Sequence, residues 1–284
     1  MDRHALLSEY MLSMRRRGLS AGTIGVRRYA LMSWFKWLDL HHVNVFEADT
    51  EHVQRFLDSI PRKASTRAAT TSHIHMFYKW ARAHRLTLED PTEAVERPRQ
   101  RLGLPRPIHA TDLQIALVFA QEGLHADPRM EAALLLGAVS GLRCCELARL
   151  RWEDIDGGQA RVMGKGSIER VIPLNGETIA ALDRVDRTSV FVLDGWQSSR
   201  SSNPGMRASR RFTKHFRRAG VTASAHQLRH RAATEALNKC SNLRKVQTLL
   251  GHASVATTAI YTLVDSRDLA DILADINTSE QVLV

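Results

Sequence analysis

Two arginines, two histidines, a lysine and a tyrosine stand in this chain at spacings that could do phosphodiester chemistry. Gly141-Leu142-Arg143-Cys144-Cys145-Glu146-Leu147 comes first and Gly164-Lys165-Gly166 follows. His226-Gln227-Leu228-Arg229, Leu250-Gly251-His252 and Tyr261 complete the set. No carboxylate cluster able to hold a metal accompanies them. A phosphodiester resists attack because its anionic oxygens repel nucleophiles and its alkoxide leaves poorly. A site must therefore neutralise the phosphoryl oxygens, deprotonate the attacker and protonate the leaving group. These residues suit attack by a tyrosine hydroxyl, with protein cations in the part that Mg²⁺ takes elsewhere.

Arginine fits the first task, since its planar fork meets phosphate bidentately and stays charged. Arg143 and Arg229 are the candidates. Glu146 lies three residues after Arg143, within reach on a helix to orient the guanidinium. His226 and Arg229, also three apart, share a helical face and can point at one phosphate; His230 and Arg231 beside them read as ordinary surface. His252 follows Gly251, which reads as a left-handed cap on a helix over 242–250, and a histidine shown at such a turn can donate to a phosphate oxygen. A tyrosine with pKa of about 10 attacks only when cations and a base lower the cost of ionisation. Alone among Ile260 and Leu263, Tyr261 would read as core.

The elements that must position these groups are mostly helices. Residues 3–16 form the first. Ile24, Leu31, Trp34, Phe35 and Leu38 make a stripe after a Ser20 cap; Val53, Phe56, Leu57 and Ile60 make another, closed by Pro61; Ile74, Phe77, Tyr78 and Ala81 mark a fourth. Arg15-Arg16-Arg17, Arg27-Arg28, Arg62-Lys63 and Arg67 stand on this unit as candidate phosphate contacts. Between Glu89 and Ile108, Pro91, Pro98, Pro105 and Pro107 with four arginines rule out a continuous helix and predict an extended basic linker over 95–107. Beyond it, Thr111-Asp112 can cap a helix to Glu122, and Pro128 opens another to Ser140. Residues 147–174 read as a small antiparallel sheet with Lys165 at or beside its tight turn. Helices are predicted again over 176–185, 204–219, 226–239, 242–250 and 255–264. The fold class is mainly α with a small antiparallel sheet in the C-terminal half.

Composition bounds the partner. In 284 residues, 40 Lys and Arg against 30 Asp and Glu leave a net charge of +10, which points to a polyanion. Residues 1–107 hold 18 cations against 11 acids, whereas residues 265–284 hold one against five. Two basic bodies and an acidic tail suit a clamp on nucleic acid with a tail made for protein. No run of 18 apolar residues and no apolar N-terminal stretch occurs, so a cytoplasmic, nucleoid-associated protein without membrane contact is expected. Three cysteines, two adjacent, form neither a disulfide framework nor a zinc spacing.

In order and spacing, Arg143, Lys165, His226, Arg229, His252 and Tyr261 resemble the tyrosine recombinase (phage integrase) family across the C-terminal half. The strings Ser140-Gly141-Leu142-Arg143, Gly164-Lys165-Gly166 with Arg170-Val171-Ile172-Pro173-Leu174, His226-Gln227-Leu228-Arg229-His230 and Leu249-Leu250-Gly251-His252-Ala253-Ser254 agree as well. The resemblance implies a helical, SAM-like core-binding domain over 1–94, the linker, a catalytic domain over 108–264 and a tail helix in 265–284 for protomer contacts. It implies that Tyr261 attacks a DNA phosphate to give a 3′-phosphotyrosyl bond and a free 5′-hydroxyl. Arg143 and Arg229 would clamp the non-bridging oxygens, Lys165 would protonate the leaving oxygen, His226 would act as base and His252 would bond the phosphate. Glu146 matches the acidic position that supports the first arginine. No metal or other cofactor is expected. Cys144-Cys145 and Ser167-Ile168 depart from the family pattern, the first read as packing and the second leaving the hairpin's DNA contacts open. The helical domain begins within a few residues of Met1, leaving no room for the further N-terminal domain of larger phage members.

The expected activity is site-specific strand exchange between two duplexes through a Holliday junction. Its partners would be DNA with inverted half-sites, a tetramer of this chain joined through the tail, and accessory DNA-bending or directionality proteins. Departures from the Xer-like string favour integration or excision of a phage or mobile element over Xer-type resolution of chromosome or plasmid dimers. A non-catalytic DNA-binding relative and a type IB topoisomerase-like enzyme are the other classes weighed.

Overall fold

The computed structural model describes residues 2–60, 63–96, 104–164, 169–197, 205–240 and 242–251. The chain divides into two units, Met1–Arg101 and Leu102–Val284, each built around its own apolar core.

In the first unit the predicted stripes become α1 (Arg3–Arg16), α2 (Ala21–Leu40), α3 (Thr50–Ser59) and α4 (Ala64–Ala83). Ser20 caps α2 by accepting from the Thr23 N–H, and Asp49 caps α3 by accepting from the His52 N–H. Ile24, Leu31, Trp34, Phe35 and Leu38 are all buried on α2. Burial of about 1.5–3 kcal/mol per large apolar side chain outweighs the weak cooperativity of an isolated helix of this length. Trp34 Nε1 donates to Tyr78 Oη (3.3 Å), whose hydroxyl donates to the Val45 carbonyl (2.6 Å), so these two polar tips are paired, whereas Tyr10 Oη and Trp80 Nε1 in the same core are not, among the described residues. Val95, at the start of the proline-rich stretch, is buried in the same core, and residues 97–103 lie outside the described residues.

The second unit opens with α5 (Ala110–Gln121) and α6 (Pro128–Ala138). Asp127 caps α6, as Pro128 at the first helical position suggests. The cap expected of Thr111-Asp112 is not made. Helix α5 begins at Ala110, and Thr111 Oγ1 lies 3.0 Å from His109 Nδ1 inside the first turn. Every residue of α6 from Met130 to Ala138 is buried, and the helix packs against α5, α8 (Gly176–Asp183) and α10 (Ala225–Cys240). The sheet is β1 (Ile155–Asp156), β2 (Gln159–Met163) and β3 (Glu169–Pro173), antiparallel in that order. Its register sets Ala160 opposite Ile172 and Val162 opposite Arg170, all four on one face. The short α7 (Cys144–Leu147), α9 (Gly205–Arg218) and α11 (Leu243–Leu250) complete the described elements.

Candidate active site

The strand-and-helix frame brings Arg143, Glu146, His226 and Arg229 to one place. Helix α6 ends in a turn at Gly141, whose φ of +70° only glycine adopts at ease. A Cβ there would stand 2.7 Å from Leu250 Cδ2, so the turn also needs glycine for close approach. Arg143 then caps α7 in extended geometry (φ −79°, ψ 155°). The pair Arg143 and Glu146 thus meets across a helix start rather than along a helical face. Glu146 at the third helical position reaches back to accept from the Arg143 backbone N–H (Oε2, 2.8 Å) and from its Nη1 (Oε1, 2.7 Å).

A second arginine, missed from the sequence, shares this carboxylate. Arg170 on β3 donates through Nη1 to Oε1 (3.0 Å) and through Nη2 to Oε2 (2.9 Å) of Glu146, while its Nε donates to the Leu249 carbonyl (3.1 Å). Burial alone would raise the Glu146 pKa. The hydrogen bonds from Arg170 and the Arg143 N–H, with both positive charges, outweigh burial and hold it below the ordinary carboxylate value. Strand alternation was the available signal: Arg170 shares a face with buried Ile172, and a cation facing inward needs a carboxylate.

Arg229 is buried on α10 and donates to the Gly141 carbonyl (Nη1, 2.5 Å) and the Leu250 carbonyl (Nη2, 2.6 Å). Arg143 Nη2 donates to the Gly251 carbonyl (3.2 Å). As the sequence predicts, Gly251 ends α11 in the left-handed conformation (φ +62°). Asn242 starts that helix by accepting from the Lys245 N–H.

The guanidinium groups open on a cleft of about 480 Å³ lined by Arg143, Cys144, Cys145, Arg210, His226 and Arg229 among others. Its polar lining is cationic, which suits an anion such as phosphate. His226 stands at the rim, exposed. Loss of water around its ring, with Arg229 and Arg143 adding to it, moves its pKa below 6.5, so at neutral pH the imidazole is an uncharged base. His230 is half-buried rather than the surface residue expected. Its ring packs edge-on to His226 at 4.4 Å between centroids, and burial, His226 and Arg229 bring its pKa to about 4. Arg231 pairs with Glu235 (3.6 Å). Cys144 packs against the core, and burial pushes its thiol up to about 11, so it stays protonated at neutral pH.

Lys165, His252 and Tyr261 lie outside the described residues, as do Ser167-Ile168, the helix expected over 255–264 and the tail over 265–284. Among the basic residues singled out on the first unit, Arg15, Arg16, Arg17, Arg28 and Lys63 are exposed. Arg27 turns inward to Met14 Sδ (3.8 Å), Arg67 lies 3.8 Å from Asp58, and Arg62 is outside the described residues. No helix among the described residues is long and apolar enough to cross a membrane.

A helical unit is thus followed by a mixed unit in which Arg143 and the buried Arg229 line one cationic cleft. Residues 108–267 match the phage integrase family and residues 7–85 match the phage integrase N-terminal SAM-like domain. The chain belongs to the phage integrase family, the tyrosine recombinases, which cleave and rejoin DNA through a phosphotyrosine intermediate. It is 32% identical to tyrosine recombinase XerD of Pseudomonas putida, over 92% of this chain and 93% of that one. Identity to XerD of Pseudomonas aeruginosa is 31%, over 95% and 96%. In fold it is similar to a lambda integrase (75–356) dimer bound to a COC′ core site, with a TM-score of 0.72 and 19% identity over 90% of this chain and 97% of that one. It is likewise similar to XerH bound to palindromic difH, with a TM-score of 0.69 and 16% identity over 89% and 79%.

Proposed function

We propose that Tyr261 is the nucleophile and that Arg143 and Arg229 bind the non-bridging oxygens of the scissile phosphate. The carrying observation is that both guanidiniums are anchored from behind, by Glu146 and by the carbonyls of Gly141, Leu250 and Gly251, at one cationic cleft. Donors held in place before the charge develops stabilise a transition state without reorganising. His226, uncharged near neutrality, takes the tyrosine proton. Lys165 protonates the leaving 5′-oxygen, and His252 donates to the phosphate. No metal takes part in this scheme, and cleavage persists in excess EDTA.

Domain roles follow the proposed division. Residues 1–94 contact DNA through Arg15, Arg16, Arg17, Arg28, Lys63 and their neighbours, residues 95–107 connect, 108–264 catalyse, and the tail docks on a neighbouring protomer. Leu269, Ile272, Leu273 and Ile276 fall at helical spacing, which supports an amphipathic segment there. The chain would then act as a tetramer on two sites with inverted half-sites, with accessory DNA-bending or directionality proteins choosing the outcome, in the nucleoid. Integration or excision of a mobile element is the first reading of its role. Similarity to XerD over nearly its whole length favours dimer resolution as the second.

The test is a suicide substrate from which the cleaved strand end diffuses away. The wild-type chain forms a covalent DNA adduct and Tyr261→Phe forms none, with half-site binding within a few-fold because affinity comes mainly from phosphate neutralisation. Adduct formation by Tyr261→Phe removes the nucleophile from its role. Truncation after Val264 spares binding to one half-site and abolishes recombination of paired sites; normal recombination would reduce the tail to a local cap.

A further inference from the structure

Three successive carbonyls at the C-terminal end of α11 are each taken by a different arginine: Leu249 by Arg170, Leu250 by Arg229 and Gly251 by Arg143. The last carbonyls of a helix lack intrahelical partners and carry its partial negative charge, so they are natural anchors for cations. Two of these arginines line the cleft. Arg170 does not; its side chain is 9% exposed, and Nε, Nη1 and Nη2 are all committed to Leu249 and Glu146. It therefore acts on the reaction only through others.

What it does follows from how Glu146 is shared. A carboxylate facing one arginine tends to a two-pronged neutral pair, which would draw Arg143 back from the cleft and cancel its charge. Here Arg170 occupies both oxygens, and the Arg143 side chain reaches the carboxylate through Nη1 alone. One carboxylate against two guanidiniums leaves the group with a net positive charge on the cleft side. Arg170 is also the second residue of β3, the strand that follows Lys165 in sequence, and its grip on Leu249 ties that strand to the helix end at Gly251.

We propose that Arg170 is a positioning residue for strand cleavage, holding Glu146 so that Arg143 presents its guanidinium and its charge to the scissile phosphate. This rests on Arg143 being a phosphate ligand. The experiment compares wild type, Arg170→Lys, Arg143→Ala and the double variant in single-turnover cleavage of suicide substrates. One substrate carries a normal scissile phosphate and the other an uncharged methylphosphonate. Lysine keeps a charge beside Glu146 but cannot span both oxygens and the Leu249 carbonyl. Arg170→Lys lowers cleavage of the phosphate roughly 10- to 100-fold, the scale of a small misplacement at a reacting centre, with half-site binding within a few-fold. On the methylphosphonate, where there is less charge for Arg143 to meet, that deficit shrinks to a few-fold. On the Arg143→Ala background Arg170→Lys costs nothing further, since two residues acting through one contact are not additive. A merely structural role would lower cleavage of both substrates equally and add its full factor to Arg143→Ala; either result overturns the proposal. Should Arg170→Lys melt too low to assay, Arg170→Gln, which keeps a donor toward Glu146, is read by the same two comparisons. Failure of the wild type to form an adduct would refute the nucleophile reading itself. An adduct-forming wild type with an unimpaired Arg170→Lys would refute this inference alone.

Discussion

Among the described residues of the second unit two glutamates are buried, and they are neutralised differently. Glu131 on α6 meets Arg184 through Nη2 (2.5 Å) and Nε (3.1 Å), with Gln121 donating a third bond (2.6 Å). Its partner is one cation, half exposed, at the C-terminal cap of α8. Glu146 meets two arginines and a backbone N–H. In both cases burial would raise the carboxyl pKa and hydrogen bonds to arginine bring it below normal. The first pair closes on itself and clamps α6 to α8. The second keeps a surplus of positive charge, which stability does not require, since a buried ion pair is weak evidence of stabilisation. On the proposed reading, the unbalanced carboxylate of Glu146 serves the site and the balanced one of Glu131 serves the frame.

The comparison breaks most readily at the two carboxylates themselves. Glu146→Gln leaves Arg143 and Arg170 facing an amide nitrogen and each other, and cleavage should fall by at least ~100-fold. Removing one partner of a buried pair costs about 3–5 kcal/mol, so the variant is assayed well below its melting point. Glu131→Gln should lower the melting temperature by several degrees while each folded molecule cleaves at the wild-type rate. Thermal melts with single-turnover cleavage separate the two. If Glu131→Gln slows cleavage as much as Glu146→Gln, charge imbalance is not what distinguishes them.

A smaller effect sharpens the role of the helix end. At Gly251 an alanine would adopt a left-handed φ, costing about 1–2 kcal/mol, and its Cβ would stand 3.1 Å from Cδ and Nη1 of Arg170. Gly220 has a similar φ of +73° with nothing within 4 Å of the added atom. Gly251→Ala should lose about tenfold in cleavage, a shift of 1.4 kcal/mol in the barrier, whereas Gly220→Ala shows the strain in its melting temperature alone. Equal cleavage by the two variants would mean that crowding Arg170 has no chemical consequence.

The frame was largely legible in the sequence where helices carried their own start and stop, which α1, α4 and α5 do not through a side-chain cap. Ser20, Asp127-Pro128 and Asn242 with Gly251 are local signals, and the elements they bound came out within a few residues. The candidate site was legible as a set of residue types in order, and Arg143, His226 and Arg229 of that set line one cleft. What failed was reach across the chain. Arg170 is 24 residues from Glu146 and 79 from Leu249, and nothing local says which inward-facing cation meets which carboxylate. Arg143 was expected along a helical face and instead caps a helix start, because the left-handed turn at Gly141 delays helix formation until Cys144. His230 reads as surface in the sequence, although its i,i+4 spacing from His226 on α10 already sets the two rings side by side.

The smallest expected effect concerns the histidines that sit on the unbalanced side. Loss of water first, then Arg229 and Arg143, depresses the His226 pKa below 6.5, and His230 falls to about 4 by burial, His226 and Arg229. As a base His226 must be uncharged, so cleavage rises with pH through its pKa and is flat above it. The half-maximal point of the acid limb should therefore lie below pH 6.5; a half-maximal rate at or above 6.5 would deny that burial and the arginines depress this histidine. Stability follows the same sign by a separate route. In the unfolded chain His230 binds a proton near pH 6.5, and in the folded one only near pH 4. Between those values the unfolded state holds more protons, so stability present above pH 6.5 is lost as pH falls toward 4. The depressed carboxyls of Glu131 and Glu146 begin to cost stability only as pH drops below the ordinary value of 4.5. A melting temperature that declines between pH 6.5 and 5, and declines less in His230→Gln, would assign that window to the histidine. A decline unchanged by His230→Gln would place its origin elsewhere.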